Sequence, residues 1–233
     1  MSYEEMSDVL REGLGLRHHP VAVSLLRDLA AAPSAYRKPP EPIRHCQAVM
    51  RSGNGEMIFL PSDFHACKVG ASVLGMNALP DRAESGDLHS SMGLFRSPEA
   101  ARDALALRPM LAPNSVTGTL YSPLSSAQVE PDVVLVALMP EQAQWLLPTS
   151  IGFDDGSRLS MSMSTILAAC GDATVMPYIT GKPNASFGCF GFRKSTDITP
   201  EEMLVGIPFG KLETITDTIR TLAAGTIPKS RTR

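Results

Sequence analysis

Apolar residues recur at helical spacing near the start of the chain, where Met6, Val9 and Leu10 follow a Ser2/Glu5 pair that has the form of a capping box. This predicts an amphipathic helix over residues 3–14. Pro20-Val-Ala-Val-Ser-Leu-Leu26 is apolar almost throughout and predicts a buried strand. Prolines at 33, 39, 40 and 42 withhold backbone donors and fix φ, so residues 27–44 read as a connector. A short helix over 46–51, a strand over 56–60 after the turn Ser52-Gly-Asn-Gly55, and a small-residue helix over 67–74 ended by Gly75 come next.

Ser97 followed by Pro98 places an N-cap and first-turn proline at the head of a helix running to about Leu107. Residues 116–121 and 133–138 read as strands. The second is apolar throughout, as a central strand covered on both faces would be. A brief helix over 141–147 sits between Pro140 and Pro148. Leu159, Met161 and Met163 alternate with Ser160, Ser162 and Ser164, which predicts a strand with the methionines as core filler. Residues 175–192 are rich in Gly, Pro and Asn and read as loop. A helix is expected from Thr199-Pro-Glu-Glu, then a break at Gly206-Ile-Pro208 and a last helix over 211–224. No repeat of 20 to 50 residues is present. The expected fold is α/β (α+β): a mixed sheet flanked by helices in a single compact domain, residues 1–225, with 226–233 a flexible C-terminal tail.

Composition narrows the classes of function. A chain of 233 residues buries roughly 70–75% of its unfolded surface, so its core requires neither disulfide nor metal. The net charge of −3 is mild and the 21 Lys and Arg are scattered, so no nucleic-acid partner is expected. The acidic, polar N-terminal sequence lacks the form of a secretory signal, and no apolar run approaches the roughly 20 residues that span a bilayer. A cytoplasmic protein with no membrane partner is expected, and in that reducing compartment four cysteines read as thiols or ligands rather than two disulfides. There is no Walker loop, G-x-S-x-G elbow or H-E-x-x-H motif, and Gly13-Leu-Gly15 is too short for a dinucleotide loop.

The chemistry is therefore sought at Cys46, Cys67, Cys170 and Cys189. The first two lie 21 residues apart and the last two 19 apart, with no C-x-x-C pair among them. Gly70 and Ala71 follow Cys67, and Gly188 and Gly191 frame Cys189. Glycine beside a thiol permits close backbone approach and inward amide donors, which thiolates and inorganic sulfide need inside a protein. Free cysteine is equally a small buried hydrophobe, and Cys170, in the run Ile166-Leu-Ala-Ala, fits that description as well as ligation.

His45-Cys-Gln-Ala-Val-Met50, Cys67-Lys-Val-Gly-Ala-Ser-Val-Leu-Gly75 and Gly181-Lys-Pro-Asn-Ala-Ser-Phe-Gly-Cys-Phe-Gly191 together resemble domain-of-unknown-function family 169, a largely uncharacterised prokaryotic family. Pro20-Val-Ala-Val23, Pro131-Asp-Val-Val-Leu135 and Val205-Gly-Ile-Pro208 extend the likeness over most of the chain. The resemblance implies a cysteine set at 46, 67, 170 and 189 suited to iron–sulfur or other metal ligation, and implies no reaction. Many members carry a further cysteine in a Gly-Cys-x-Gly-Cys-Arg segment, where this chain has Phe192 before Arg193. Four cysteines still suffice for a 4Fe-4S cluster.

Zinc sites usually draw two ligands from a tight knuckle, whereas single cysteines on separate segments suit a cluster better. Four ligands close the centre for electron transfer, while three leave an open iron for Lewis-acid lyase or desulfuration chemistry. His45 and His65, beside Cys46 and Cys67, make a Cys/His zinc site the alternative, although such histidines are more often surface or loop residues. His18 and His19 are expected to be solvated, and His89 has no evident partner. Asn184, Ser186 and Arg193 surround Cys189 in sequence and are candidate substrate-binding residues, Arg193 as a carboxylate clamp; turn-shaping and surface pairing explain them equally. The expected function is a cysteine-ligated metalloprotein acting on a small molecule or with a redox partner protein. The rival is a non-catalytic small-molecule or partner-binding module with structural thiols.

Overall fold

Residues 133–138 are apolar without interruption because both of their faces are covered. In the computed structural model, which describes residues 1–232, they form one of the two central strands of a six-stranded sheet. The strands are β1 (Val21–Leu26), β2 (Ile58–Pro61), β3 (Gly118–Pro123), β4 (Val133–Leu138), β5 (Asn184–Ser186) and β6 (Met203–Pro208). Their order is β2-β3-β1-β4-β6-β5. Every pairing among these six strands is antiparallel, so the expected helix-flanked α+β sheet is present while its strand directions are not mixed; a parallel bridge joins Arg37 to Ile58 at the β2 edge.

Alternation along β4 assigns the two layers. Val134, Val136 and Leu138 pack with the first helix, Tyr3–Leu14, and the long helix Phe209–Ala223. Val133, Leu135 and Ala137 face the opposite layer, where helix His45–Gly53 and the π-helical segment Ala168–Val175 lie. The first helix begins as its sequence dictates: Ser2 Oγ accepts from Glu5 N at 3.1 Å and Glu5 Oε2 accepts from Ser2 N at 2.8 Å. It ends at Gly15, whose φ of 72° suits a residue without Cβ.

Several segments differ from the sequence expectation, among them residues 175–192, read as loop, which hold helix Met176–Thr180, β5 and the start of helix Phe190–Ser195. The helix start expected at Thr199 is a turn, in which Thr199 N donates to Glu202 Oε2 at 2.9 Å, and the apolar run after it is β6. Gly206, expected to break a helix, sits inside that strand. A Cβ there would overlap the Ala173 carbonyl, so glycine lets the sheet and the π-helical segment meet. The period-two stretch 159–164 is irregular, and Met161 and Met163 are 43% and 41% exposed. Side chains replace a strand ladder there: Ser162 N donates to Asn184 Oδ1 at 3.0 Å, Asn184 Nδ2 to Ser162 O at 2.7 Å and Ser164 N to Asp172 Oδ2 at 2.9 Å.

The segment read as a tail, 226–233, instead forms helix Thr226–Arg231, with Ile227 in the core and Arg231 donating to Leu14 O at 2.8 Å. Arg233 lies outside the described residues. Among the described residues no helix is long and apolar enough to cross a membrane.

Candidate functional site

The four cysteines reach one cavity from four separate segments. Cys46 lies in the first turn of helix His45–Gly53, where Gln47 Oε1 accepts from Arg44 N at 2.9 Å. Cys67 caps helix Lys68–Val73, its sulfur accepting from Gly70 N at 3.3 Å. Cys170 lies in the π-helical segment, entered through Leu167 at a left-handed φ of 63°. Such a backbone costs a non-glycine residue of order 1–3 kcal/mol, and π-helical turns are frequent at functional sites. Cys189 precedes helix Phe190–Ser195, with its carbonyl accepting from Arg193 N at 3.0 Å.

The four side chains line a cavity of about 440 Å³ on the sheet's second layer. All four thiols are free. A Cβ built on Gly70 would stand 3.4 Å from the Cys67 sulfur and 3.6 Å from the Cys170 sulfur, so these two sulfurs flank one small space. Burial pushes the Cys46 thiol up to about 12, reinforced by Cys189 and Cys67. Burial also raises Cys170, followed by the influence of the other three cysteines. Among the described residues, no three His, Cys, Asp or Glu side chains are arranged around a single ion position.

The remaining wall is chiefly hydrocarbon, with Arg44, Lys68, His45 and His89 as its polar members and no carboxylate among the described lining residues. Neither Arg44 nor Lys68 is conspicuous as a binding residue in the sequence. The available signal was their position, two before Cys46 and one after Cys67.

His45 is buried rather than on a surface or loop, and both of its ring nitrogens are engaged. Thr119 Oγ1 donates to Tyr121 Oη at 2.8 Å, and Thr174 Oγ1 donates to the Ala169 carbonyl at 2.7 Å. The Thr174 proton being spent, His45 Nε2–H donates to Thr174 Oγ1 at 3.0 Å. His45 Nδ1 then accepts from Tyr121 O–H at 2.8 Å. Burial lowers the His45 pKa to about 3, which keeps this neutral tautomer. The ring ties the Cys46 helix to the segment carrying Cys170 and has no nitrogen left for a metal.

His65 is buried with neither nitrogen partnered among the described residues, but it lies outside the cavity lining. His18, expected to be solvated, is buried and bonded through Nδ1 to Asn54 Oδ1 at 2.8 Å. Asn184, Ser186 and Arg193 also lie outside the lining. Asn184 braces residue 162 and donates to Asp172 O at 2.9 Å, while Ser186 Oγ accepts from Gly188 N at 3.2 Å. Arg193 gives its fork to backbone, with Nε donating to Phe187 O at 2.8 Å and the terminal nitrogens to Thr199 O and Glu202 O at 2.6 Å each. Ser186 and Arg193 thus shape the Cys189 loop, while Asn184 ties β5 to residue 162 and the π-helical segment.

The family described as DUF169, uncharacterised ArCR, matches residues 9–218, and the chain belongs to it, as its motifs implied. The chain is also similar to an uncharacterised protein of the archaeon Methanocaldococcus jannaschii, 31% identical over 201 residues, which cover 85% of each chain. No solved structure matches it.

Proposed function

We propose that this DUF169 member binds a 4Fe-4S cluster through Cys46, Cys67, Cys170 and Cys189. The observation that carries the reading is the meeting of four dispersed thiols on the wall of one cavity. A mononuclear zinc site needs its sulfurs about 2.3 Å from one ion, whereas a cluster takes each thiolate on a different iron and so suits ligands spread over a wall. The small space at Gly70, the Gly70 N–H directed at the Cys67 sulfur and the absence of a carboxylate among the described lining residues all suit a soft, anionic inorganic core. Arg44 and Lys68 supply positive charge beside it.

When bound, the cluster supplies one-electron redox chemistry or, with one iron free of cysteine, Lewis-acid chemistry on a small molecule. The chain's own contribution is to fix and desolvate the ligands. His45 and Thr174 couple the Cys46 and Cys170 segments, and Arg193 pins the loop of Cys189. Burial holds Cys46 and Cys170 protonated near neutral pH, so ligation releases protons and weakens in acid. A small-molecule substrate or redox partner protein, in a reducing cytoplasm, completes the proposal.

The test is the metal content of single Cys→Ser variants reconstituted anaerobically with iron and sulfide. Loss of most bound iron in at least three of the four supports the cluster. Unchanged iron in all four would refute it, and one zinc per chain in place of iron would leave a metal site without the proposed chemistry.

A further inference from the structure

Eight inorganic atoms would fill only part of a cavity of about 440 Å³, and the rest of its wall has its own chemical character. Val69, Leu88, Leu94, Ile166, Met92 and Phe190 give it a hydrocarbon surface, with Met92 and Phe190 about half exposed. Arg44 and Lys68 interrupt that surface, and among the described residues neither side chain takes part in an ion pair. His89 lines the same space, is 7% exposed, and has a buried Nδ1 with no hydrogen-bond partner among the described residues. Buried polar atoms rarely stay unpaired, and an apolar cavity with a few convergent polar groups is the usual form of a small-molecule site.

We propose that this cavity binds a small apolar carboxylate, its anionic end held by Arg44 and Lys68 and met by His89, its hydrocarbon body against the aliphatic wall. Arginine presents a planar pair of donors that matches a carboxylate, and lysine adds a compact charge. A cluster alone would account for the cations, but not for the hydrocarbon wall or the unpaired His89 nitrogen. The inference deepens the function proposed above, resting on that reading for the ligand's reactivity and not for its affinity.

Binding of hexanoate and benzoate, with hexanamide and benzamide as neutral counterparts, is measured by calorimetry on metal-free reduced protein and on reconstituted protein. Iron and sulfide are determined on the same samples. The expected result is tenfold or greater preference for each acid over its amide. That preference should fall at least tenfold in Arg44→Gln or Lys68→Gln and fall measurably in His89→Phe. Gly191→Ala is a second route, because its methyl would collide with the Arg44 guanidinium and push it aside without removing its charge. Should Arg44→Gln fail to fold, Lys68→Gln and Gly191→Ala still decide the matter. Equal binding of acid and amide, no binding to either preparation, or acid binding unchanged in the variants would overturn the proposal. Carboxylate binding without iron would support it and remove the cluster; iron without carboxylate binding would do the reverse.

Discussion

Cys67 and Cys170 both bring their sulfurs beside Gly70, with a Cβ on that glycine falling 3.4 Å from one sulfur and 3.6 Å from the other. Those are ordinary contact distances, so the metal-free fold accommodates alanine, which also favours helix over glycine by roughly 0.5–1 kcal/mol. The added methyl nevertheless takes space beside two proposed ligands. Gly70→Ala is expected to melt at or above the wild-type temperature without metal while retaining less than half of its iron after reconstitution. Full iron retention would place the cluster elsewhere.

His45 holds the Cys46 helix to the Cys170 segment through Thr174 and to β3 through Tyr121. Replacing it with Phe strands a buried hydroxyl donor and a buried acceptor, at about 1–3 kcal/mol for each group. His45→Phe is expected to lose about 2–4 kcal/mol in urea unfolding, whereas His45→Gln, which keeps donor and acceptor capacity, loses less. Equal losses would assign the effect to shape rather than hydrogen bonding.

Stability should fall in acid for a reason that can be signed. Burial lowers His45 to about 3 and His65 to about 4 from 6.5, so between those values the unfolded chain binds their protons and the folded chain does not. Asp172 opposes this: burial raises it to about 7 from 3.8, so below 7 the folded chain holds a proton that the unfolded chain lacks. Two histidines outweigh one carboxyl, and the three together lower stability from pH 6.5 towards 4. Asp172→Asn removes the opposing group, so unfolding between pH 4.5 and 8 should show steeper acid loss and a higher melting temperature at pH 8. An unchanged slope would contradict the assignment.

The Arg193 guanidinium bonds three backbone carbonyls at once. A lysine cannot reproduce that fork, and Arg193→Lys is expected to lose about 2–3 kcal/mol and to speed hydrogen exchange across residues 187–202. Exchange confined to its wild-type rate there would rule out the bracing role.

The first helix, β1 and β4 were legible because a capping box and unbroken apolar runs act locally. β6 was not, since Thr199-Pro-Glu-Glu carries a helix-start pattern, and only the closeness of Ala173 shows why Gly206 belongs in a strand. Residues 159–164 have strand periodicity, but Asn184 and Asp172 satisfy their backbone from 22 and 8 residues away, a pairing no local pattern reveals. At the site, glycine settings marked Cys67 and Cys189, while the apolar run around Cys170 concealed a place in the same cavity. Arg44, Lys68 and His89 acquire meaning only when folding brings a carboxylate-free wall around them. Asn184, Ser186 and Arg193 lie near Cys189 in sequence yet face inward to the backbone.

Iron and acid-labile sulfide per chain, measured on wild-type protein purified and reconstituted without oxygen, test the central claim most directly. The four-cysteine cavity predicts about four irons and four sulfides with the broad visible absorption of a cubane cluster, lost on exposure to a chelator and oxidant together. A colourless, folded protein holding neither iron nor sulfide under those conditions would contradict it.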